Sequence, residues 1–200
     1  MAISDWRRYI STQVLLPPRP HVVDAHLFLG DNGRNKVAVD IACGTGRDTL
    51  YLLEKGYQVY AFDKDIGSLE HLSTHPLACS NPSLDLQLSL FEEYPFPKAN
   101  MINASACLFF CKPNEFSILW HNIDAALDVN GIFCGHFLGT NNADVETHTD
   151  QPILTHSHED IETLLKKYYI ISWKVKKEYS AQLTNKKQRW LVNTLIAMKK

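Results

Sequence analysis

Hydrophobic and polar positions follow a pattern that shifts between strand and helix spacing along this chain. Val37-Ala38-Val39-Asp40-Ile41-Ala42 is a short β-rich apolar run that closes in the turn Cys43-Gly44-Thr45-Gly46. An apolar run of this length ending at glycines predicts a buried strand. From Arg47 to Lys55, the residues Leu50, Leu52 and Leu53 fit a helix, and Gly56 is placed to end it. Tyr57 to Phe62 is a second apolar run, closed by Asp63. Strand, turn, helix and strand within about 27 residues predict a βαβ unit, because parallel strands need such a crossover.

The alternation continues toward the C-terminus. Ser68 to Leu72 fits a short helix, Leu84 to Leu88 alternates like a strand, and Asn100 to Leu108 is a further strand candidate. Between Pro113 and Val129, the residues Phe116, Leu119, Trp120, Ile123 and Leu127 fall on one helical face, and Asn130-Gly131 stops the helix. Ile132 to Leu138 predicts a fifth strand, and a polar loop from Gly139 to Thr155 leads to a helix opening at Ser157. Glu159 and Asp160 in its first turn and Lys166 and Lys167 in its last suit the helix dipole. Ile171, Trp173 and Val175 alternate with Ser172, Lys174 and Lys176, and a second strand-like stretch runs from Arg189 to Met198 after the turn Thr184-Asn185-Lys186. The two predict an antiparallel hairpin added to a parallel sheet.

Composition narrows the class. With 200 residues, 45% hydrophobic and 21% charged, the chain matches an ordinary globular protein and is expected to form one domain over residues 1–200. Its net charge of −2 argues against a strongly basic nucleic-acid binder. The distribution is uneven: residues 166–200 hold ten Lys/Arg against one acid, Glu178. The lysines of the proposed hairpin alternate with apolar residues, as on an edge strand guarded against pairing, and lie away from the glycine turn, so nucleic acid is not the expected partner. Five cysteines without a CxxC pair suit a reducing compartment. No apolar run is long enough to span a bilayer, and Met1 to Pro20 lacks the apolar core of a signal peptide, so a cytoplasmic location is expected.

The glycine turn is the main candidate site. Glycines between a strand and a helix let a ligand approach the backbone beside free N–H groups. For a dinucleotide fingerprint, Gly44 and Gly46 fit the first two places, but Thr49 stands where the third glycine is needed. Asp40-Ile41-Ala42-Cys43-Gly44-Thr45-Gly46 instead resembles the acid-x-Gly-x-Gly-x-Gly motif of class I S-adenosylmethionine (SAM)-dependent methyltransferases, with Ala42 in place of the first glycine. This resemblance implies an α/β fold, a Rossmann-like, mostly parallel seven-stranded sheet flanked by helices, with a C-terminal antiparallel hairpin. It also implies SAM as cofactor and S-adenosylhomocysteine (SAH) as product. Asp40 would lie near the ammonium group of the ligand. Asp63, followed by Lys64, would accept two ribose hydroxyls, since a carboxylate takes two hydrogen bonds side by side. Ser89 and Leu90 fall at the end of the third strand, where the family holds adenine, with Ser89 replacing the usual acid. Asn103 falls at the end of the fourth, beside the methyl donor.

Trp6-Arg7-Arg8-Tyr9 followed by Pro17-Pro18-Arg19-Pro20 is similar to the start of the small tellurite-resistance and thiopurine-type methyltransferases. By that resemblance, residues 1–35 cover the cofactor, 36–140 form the SAM-binding core, and 141–200 form the loop, helix and closing hairpin. Trp6 or Tyr9 would face the sulfonium, or simply pack an N-terminal helix, and Arg19 would pair with the cofactor carboxylate. The acceptor is expected to be a small molecule, attacking in line at the methyl. Asn103-Ala104-Ser105-Ala106 lacks the Pro-Pro-aromatic sequence of enzymes that methylate base amino groups. A thiolate or metalloid oxyanion needs no base, so no catalytic residue is assigned. A hydroxyl acceptor would need one, for which His136 and His148 are positioned. Two alternatives stay open: a non-catalytic SAM-binding or interaction protein, and methylation of a macromolecule. The cluster His148, His156 and His158 with Asp144 and Glu146 matches no tight metal-ligand spacing, and no metal is expected. Cys107 and Cys111 are most simply buried thiols.

Overall fold

The fold is that of a computed structural model, which describes residues 16–140, 153–180 and 188–200. In chain order the elements are α1 (Pro20–Phe28), β1 (Val37–Ile41), α2 (Arg47–Glu54), β2 (Gln58–Asp63), α3 (Ile66–Ser73), β3 (Leu84–Leu88) and β4 (Ala99–Ala104). A single 3-10 turn (Leu108–Phe110) precedes α4 (Phe116–Ala126), β5 (Leu127–Leu138), α5 (His158–Leu164), β6 (Tyr168–Ser180) and β7 (Gln188–Lys199). The strands form one seven-stranded sheet in the order β3-β2-β1-β4-β5-β7-β6. Pairings from β3 through β5 are parallel, whereas β7 is antiparallel to both β5 and β6. The expected mixed sheet with a closing hairpin is therefore what forms.

Strand period distributes the core over two faces. Along β1, Val39 and Ile41 enter one apolar layer, with Ile102, Leu119, Trp120 and Phe133. Ala38 enters the other, with Val22, Leu52, Tyr57 and Met101. Central parallel strands are covered on both sides, so β1 has one polar residue, Asp40, and it is 3% exposed. Because β1 sends its neighbours β2 and β4 to opposite sides, the sheet has its topological switch point at the C-terminal ends of β1 and β4.

Several boundaries differ from the sequence expectation. Strand β5 starts at Leu127, where the pattern predicts helix through Val129; Leu127 pairs with Ala99, and the register then shifts before Met101 meets Ile132. Helix α5 opens with the expected cap, in which Ser157 and Asp160 bond each other's backbone N–H. It ends at Leu164, so Lys166 and Lys167 are beyond its last turn, because Tyr168 must start β6, buried with its hydroxyl donating to Asp124 at 2.8 Å. Helix α1 has no amphipathic signature in the sequence. It begins at Pro20, a favoured first position, and buries His21 and His26. His26 is held by Tyr57 at 3.0 Å and Asp31 at 3.1 Å. Among the described residues, no helix is long and apolar enough to cross a membrane.

Candidate functional site

The turn after β1 is built on left-handed backbone. Ala42, Gly44 and Gly46 have φ of 52°, 56° and 89°. A Cβ on Gly46 would lie 2.3 Å from Leu72 Cδ1, so both conformation and space require glycine there. On Gly44 a Cβ would meet no atom within 4 Å: the backbone is bare toward a cavity of about 810 Å³. Ala42 fills the place of the motif's first glycine and adopts its left-handed φ as well, a conformation that costs a residue with a side chain roughly 1–2 kcal/mol.

Below the turn lies a buried polar network. Asp40 accepts from Thr49 Oγ1 at 2.5 Å and from Asn103 Nδ2 at 2.7 Å, and the same Asn103 nitrogen is 3.4 Å from Asp48 Oδ2. Asp48, on α2, takes the backbone N–H of Arg19 at 2.9 Å and pairs with its guanidinium at 2.5 Å. Burial, and after it the charge of Asp48, pushes the Asp40 carboxyl above the ordinary carboxylate range. The hydrogen bonds from Thr49 and Asn103 and the charge of Arg19 oppose that shift. Thus the structure ties both oxygens of Asp40 to protein groups and pairs Arg19 with Asp48, while both residues still line the cavity.

Asp63, at the end of β2, faces the bare turn. Its Oδ2 accepts the Gly44 N–H at 2.8 Å and its Oδ1 the Asp65 N–H at 2.9 Å. A carboxylate offers about four lone-pair sites, so each oxygen retains capacity for another donor. Burial raises its pKa, against the bonds from the two amides. Lys64, Ser89 and Leu90 line the same end of the cavity, Ser89 donating to the Leu90 carbonyl at 3.0 Å.

Beyond the switch point the cavity is walled by Phe109, Phe110, Leu138, His21, His136 and β6. His21 Nε2 is 2.7 Å from Ser105 Oγ, which donates to Asn103 Oδ1 at 2.6 Å. His136 Nδ1 accepts the Ala106 N–H at 3.0 Å, and the two imidazoles meet edge to face with centroids 4.5 Å apart. Burial pushes each imidazole down to about 3; neighbouring positive charge, Arg19, Arg47 and Lys174 at His21 and Arg19 at His136, adds to it. Both rings are therefore neutral at physiological pH.

The basic hairpin lies closer to the site than its sequence suggests. β6 is the edge strand, as its alternating lysines suggest, yet Lys174 and Lys176 also line the cavity, so the hairpin is not remote from the site. The reason is tertiary: β7 inserts between β5 and β6, and β6, paired along β7, reaches the cavity wall. Cys107 and Cys111 are buried, and burial raises both thiols, Cys111 to about 11. His148, Asp144, Glu146, Trp6 and Tyr9 lie outside the described residues. His21, Asp48 and Ser105 belong to the site and were not singled out from the sequence. Ser105 and Asp48 had a usable signal, being the residues just after β4 and just inside α2; a histidine following a proline carries none.

Comparison with known proteins places this architecture. Residues 38–131 match the family model of a methyltransferase domain, and no curated protein matches the chain. Among solved structures the chain is similar to TehB from Haemophilus influenzae, with a TM-score of 0.74, 18% identity, and coverage of 91% of this chain and 62% of that one. It thus spans 62% of the TehB chain's length. A SAM-dependent methyltransferase from Methanosarcina mazei gives 0.69 at 18% identity, covering 92% of this chain and 99% of that one. The 1,6-didemethyltoxoflavin-N1-methyltransferase of Burkholderia thailandensis, solved with 1,6-didemethyltoxoflavin and SAH, gives 0.67 at 19% identity and covers 91% and 77%. The chain has the fold of the class I SAM-dependent methyltransferases.

Proposed function

We propose that the protein is a SAM-dependent methyltransferase that moves a methyl group to a small-molecule nucleophile by in-line displacement, releasing SAH. The observation that carries this is the bare, left-handed Gly44 beside Asp63 at the switch point of the sheet. In such sheets a ligand binds outside the strand ends where the strand order reverses. Asp63 accepts the two ribose hydroxyls on its remaining lone pairs, and Lys64, Ser89 and Leu90 form the wall on the adenine side. Ala42, Gly44 and Gly46 keep the turn low beneath the ligand. Asp40 and Asp48, held by Asn103, place negative charge under the ammonium end, and Arg19 lies where it can meet the carboxylate. When bound, SAM supplies a methyl group already activated by its sulfonium. The protein's task is then to align the nucleophile and exclude water, and alignment can supply roughly 7–11 kcal/mol.

A cavity of about 810 Å³ is within the roughly 300–1,000 Å³ usual for small-molecule sites and continues past the switch point to the histidine end, leaving room for an acceptor. The toxoflavin enzyme, similar in fold, was solved with both 1,6-didemethyltoxoflavin and SAH bound, which supports a small-molecule acceptor here. All five cysteines are free thiols, consistent with a cytoplasmic location. Calorimetric titration with SAH tests the cofactor: binding is expected, and Asp63→Ala is expected to abolish it. No binding of SAM or SAH to the wild-type protein refutes the proposal. Transfer of labelled methyl to thiols, metalloid oxyanions, small carboxylates and nitrogen heterocycles then separates an enzyme from a binder.

A further inference from the structure

The two cavity histidines have their protons placed by the network around them. A backbone N–H can only donate, so His136 Nδ1, which receives the Ala106 amide at 3.0 Å, carries the lone pair and Nε2 carries the hydrogen. Ala106 has a left-handed φ of 56°, unusual for a residue with a side chain, and its amide is the one bonded to this ring. At His21 the order runs the other way along a longer chain. Asn103 gives its Nδ2 hydrogens to the carboxylates, so Oδ1 is the acceptor for Ser105 Oγ–H. The Ser105 oxygen therefore accepts from His21 Nε2–H, and His21 Nδ1 is a lone pair. Neither His21 Nδ1 nor His136 Nε2 has a hydrogen-bond partner among the described residues, and neither is sealed in the interior, where the sole unpartnered side-chain polar atom among them is Tyr94 Oη.

The geometry points to an acceptor that presents an N–H next to a carbonyl, the lactam or amide edge of a small nitrogen heterocycle: His21 Nδ1 accepts the N–H, and His136 Nε2–H donates to the carbonyl oxygen. This rests on the methyltransferase function proposed above and names its substrate class. The apolar walls of Phe109, Phe110 and Leu138 suit a flat ring. In the transfer, the S–CH3 bond breaks with its electron pair left on sulfur, the nitrogen pair forms the N–CH3 bond, and the N–H proton passes to His21 Nδ1 and on to water. A weakly basic imidazole can take that proton because methylation makes a lactam N–H strongly acidic; an alkylammonium would keep it. The charged groups that act on the pair are Arg19 before α1, Arg47 and Asp48 on α2, and Lys174 on β6, itself 3.9 Å from Asp24. Burial keeps both rings uncharged and the net positive surroundings reinforce it, so the site reads neutral donor and acceptor groups.

The test uses the full chain and the probes 2-pyridone, uracil and hypoxanthine, with thiophenol and selenite as contrasts. Nitrogen NMR of the histidines, without any cofactor, is expected to show both rings as the Nε2–H tautomer with no titration between about pH 5 and about pH 9. With labelled SAM, methyl is expected on at least one lactam nitrogen, at a rate flat across that range. His136→Phe should raise KM for that probe about 10- to 100-fold while SAH binding is kept, and His136→Gln, which retains an N–H donor, should recover part of it. His21→Phe should lower kcat more than it raises KM. A protonated or Nδ1–H histidine, methylation confined to thiophenol with a rate that follows thiolate formation, an unchanged KM in His136→Phe, or no lactam methylation by protein that binds SAH would each overturn the assignment. Failure to bind SAH would instead remove the cofactor proposal, a separate result.

Discussion

Replacing Asn103 by leucine tests the buried network most directly. Asn103 is fully buried, and one side chain serves four partners: it donates to Asp40 at 2.7 Å and toward Asp48 at 3.4 Å, and accepts from Ser105 at 2.6 Å and from the Cys134 thiol at 3.7 Å. Leucine has the same number of side-chain heavy atoms and the same branch point, so no cavity is left and the change falls first on the partners left behind. A buried polar group stranded in this way costs about 1–3 kcal/mol, more when charged, and two are stranded here, the Asp40 oxygen and the Ser105 hydroxyl. The expected loss is about 3–5 kcal/mol, or roughly 6–20 °C in Tm at about 2–4 °C per kcal/mol for a chain of this size. The loss depends on pH with a defined sign. Burial and Asp48 already raise Asp40 above its unfolded value, so the folded state binds that proton more tightly. This contribution to stability is present at low pH and is lost as pH rises through the folded pKa. Removing the Asn103 N–H, which favours the ionised form, raises that pKa further. Thermal and urea unfolding of wild type and Asn103→Leu from about pH 5 to about pH 8.5 should therefore show a deficit that is largest at the alkaline end and shrinks on acidification. A deficit that does not change with pH, or one below about 1 kcal/mol, would refute the network as described.

Other expectations are read with similar means. Saturating SAM or SAH should raise Tm by roughly 5–10 °C at a hundredfold excess over Kd, a shift that Asp63→Ala should remove. Gly44→Ala adds a methyl where the backbone is bare and φ is 56°; SAH affinity should fall about tenfold or more in calorimetry while the fold loses about 1 kcal/mol. Gly46→Ala should be the more destabilising of the two in thermal unfolding, because its Cβ would stand 2.3 Å from Leu72. Tyr94→Phe deletes a buried hydroxyl with no partner among the described residues and should raise stability by about 1 kcal/mol, measured as a higher urea midpoint.

Much of the scaffold was legible in the residue pattern because its signals are local. The run Val37 to Ala42 with its glycine turn, the helix from Arg47, and the apolar stretch ending at Asp63 each follow from spacing within a dozen residues, and all three elements form where expected. Boundaries set by partners were not legible. Leu127 joins β5 because Ala99 pairs with it, and Lys166 falls outside α5 because Tyr168 is drawn into the core. Helix α1 escaped notice because its buried faces carry histidines, which look polar until Tyr57 and Asp31 satisfy one and Ser105 the other.

For the site the division is similar. Sequence alone determined that an acid, a glycine turn and a second acid occupy successive strand ends, since covalent order and strand period fix which residues reach the C-terminal edge of a parallel sheet. It could not determine that Asp40 is bonded on both oxygens, that Arg19 meets Asp48 across 29 positions, or that Ser105 links His21 to Asn103. Hydrogen-bond partners far apart in sequence are chosen by which elements pack together, and burial then decides which groups hold a charge. The tertiary structure likewise carried the basic edge strand to the cavity wall, because β7 enters the sheet before β6, and Lys174 and Lys176 line the same cavity as the histidines.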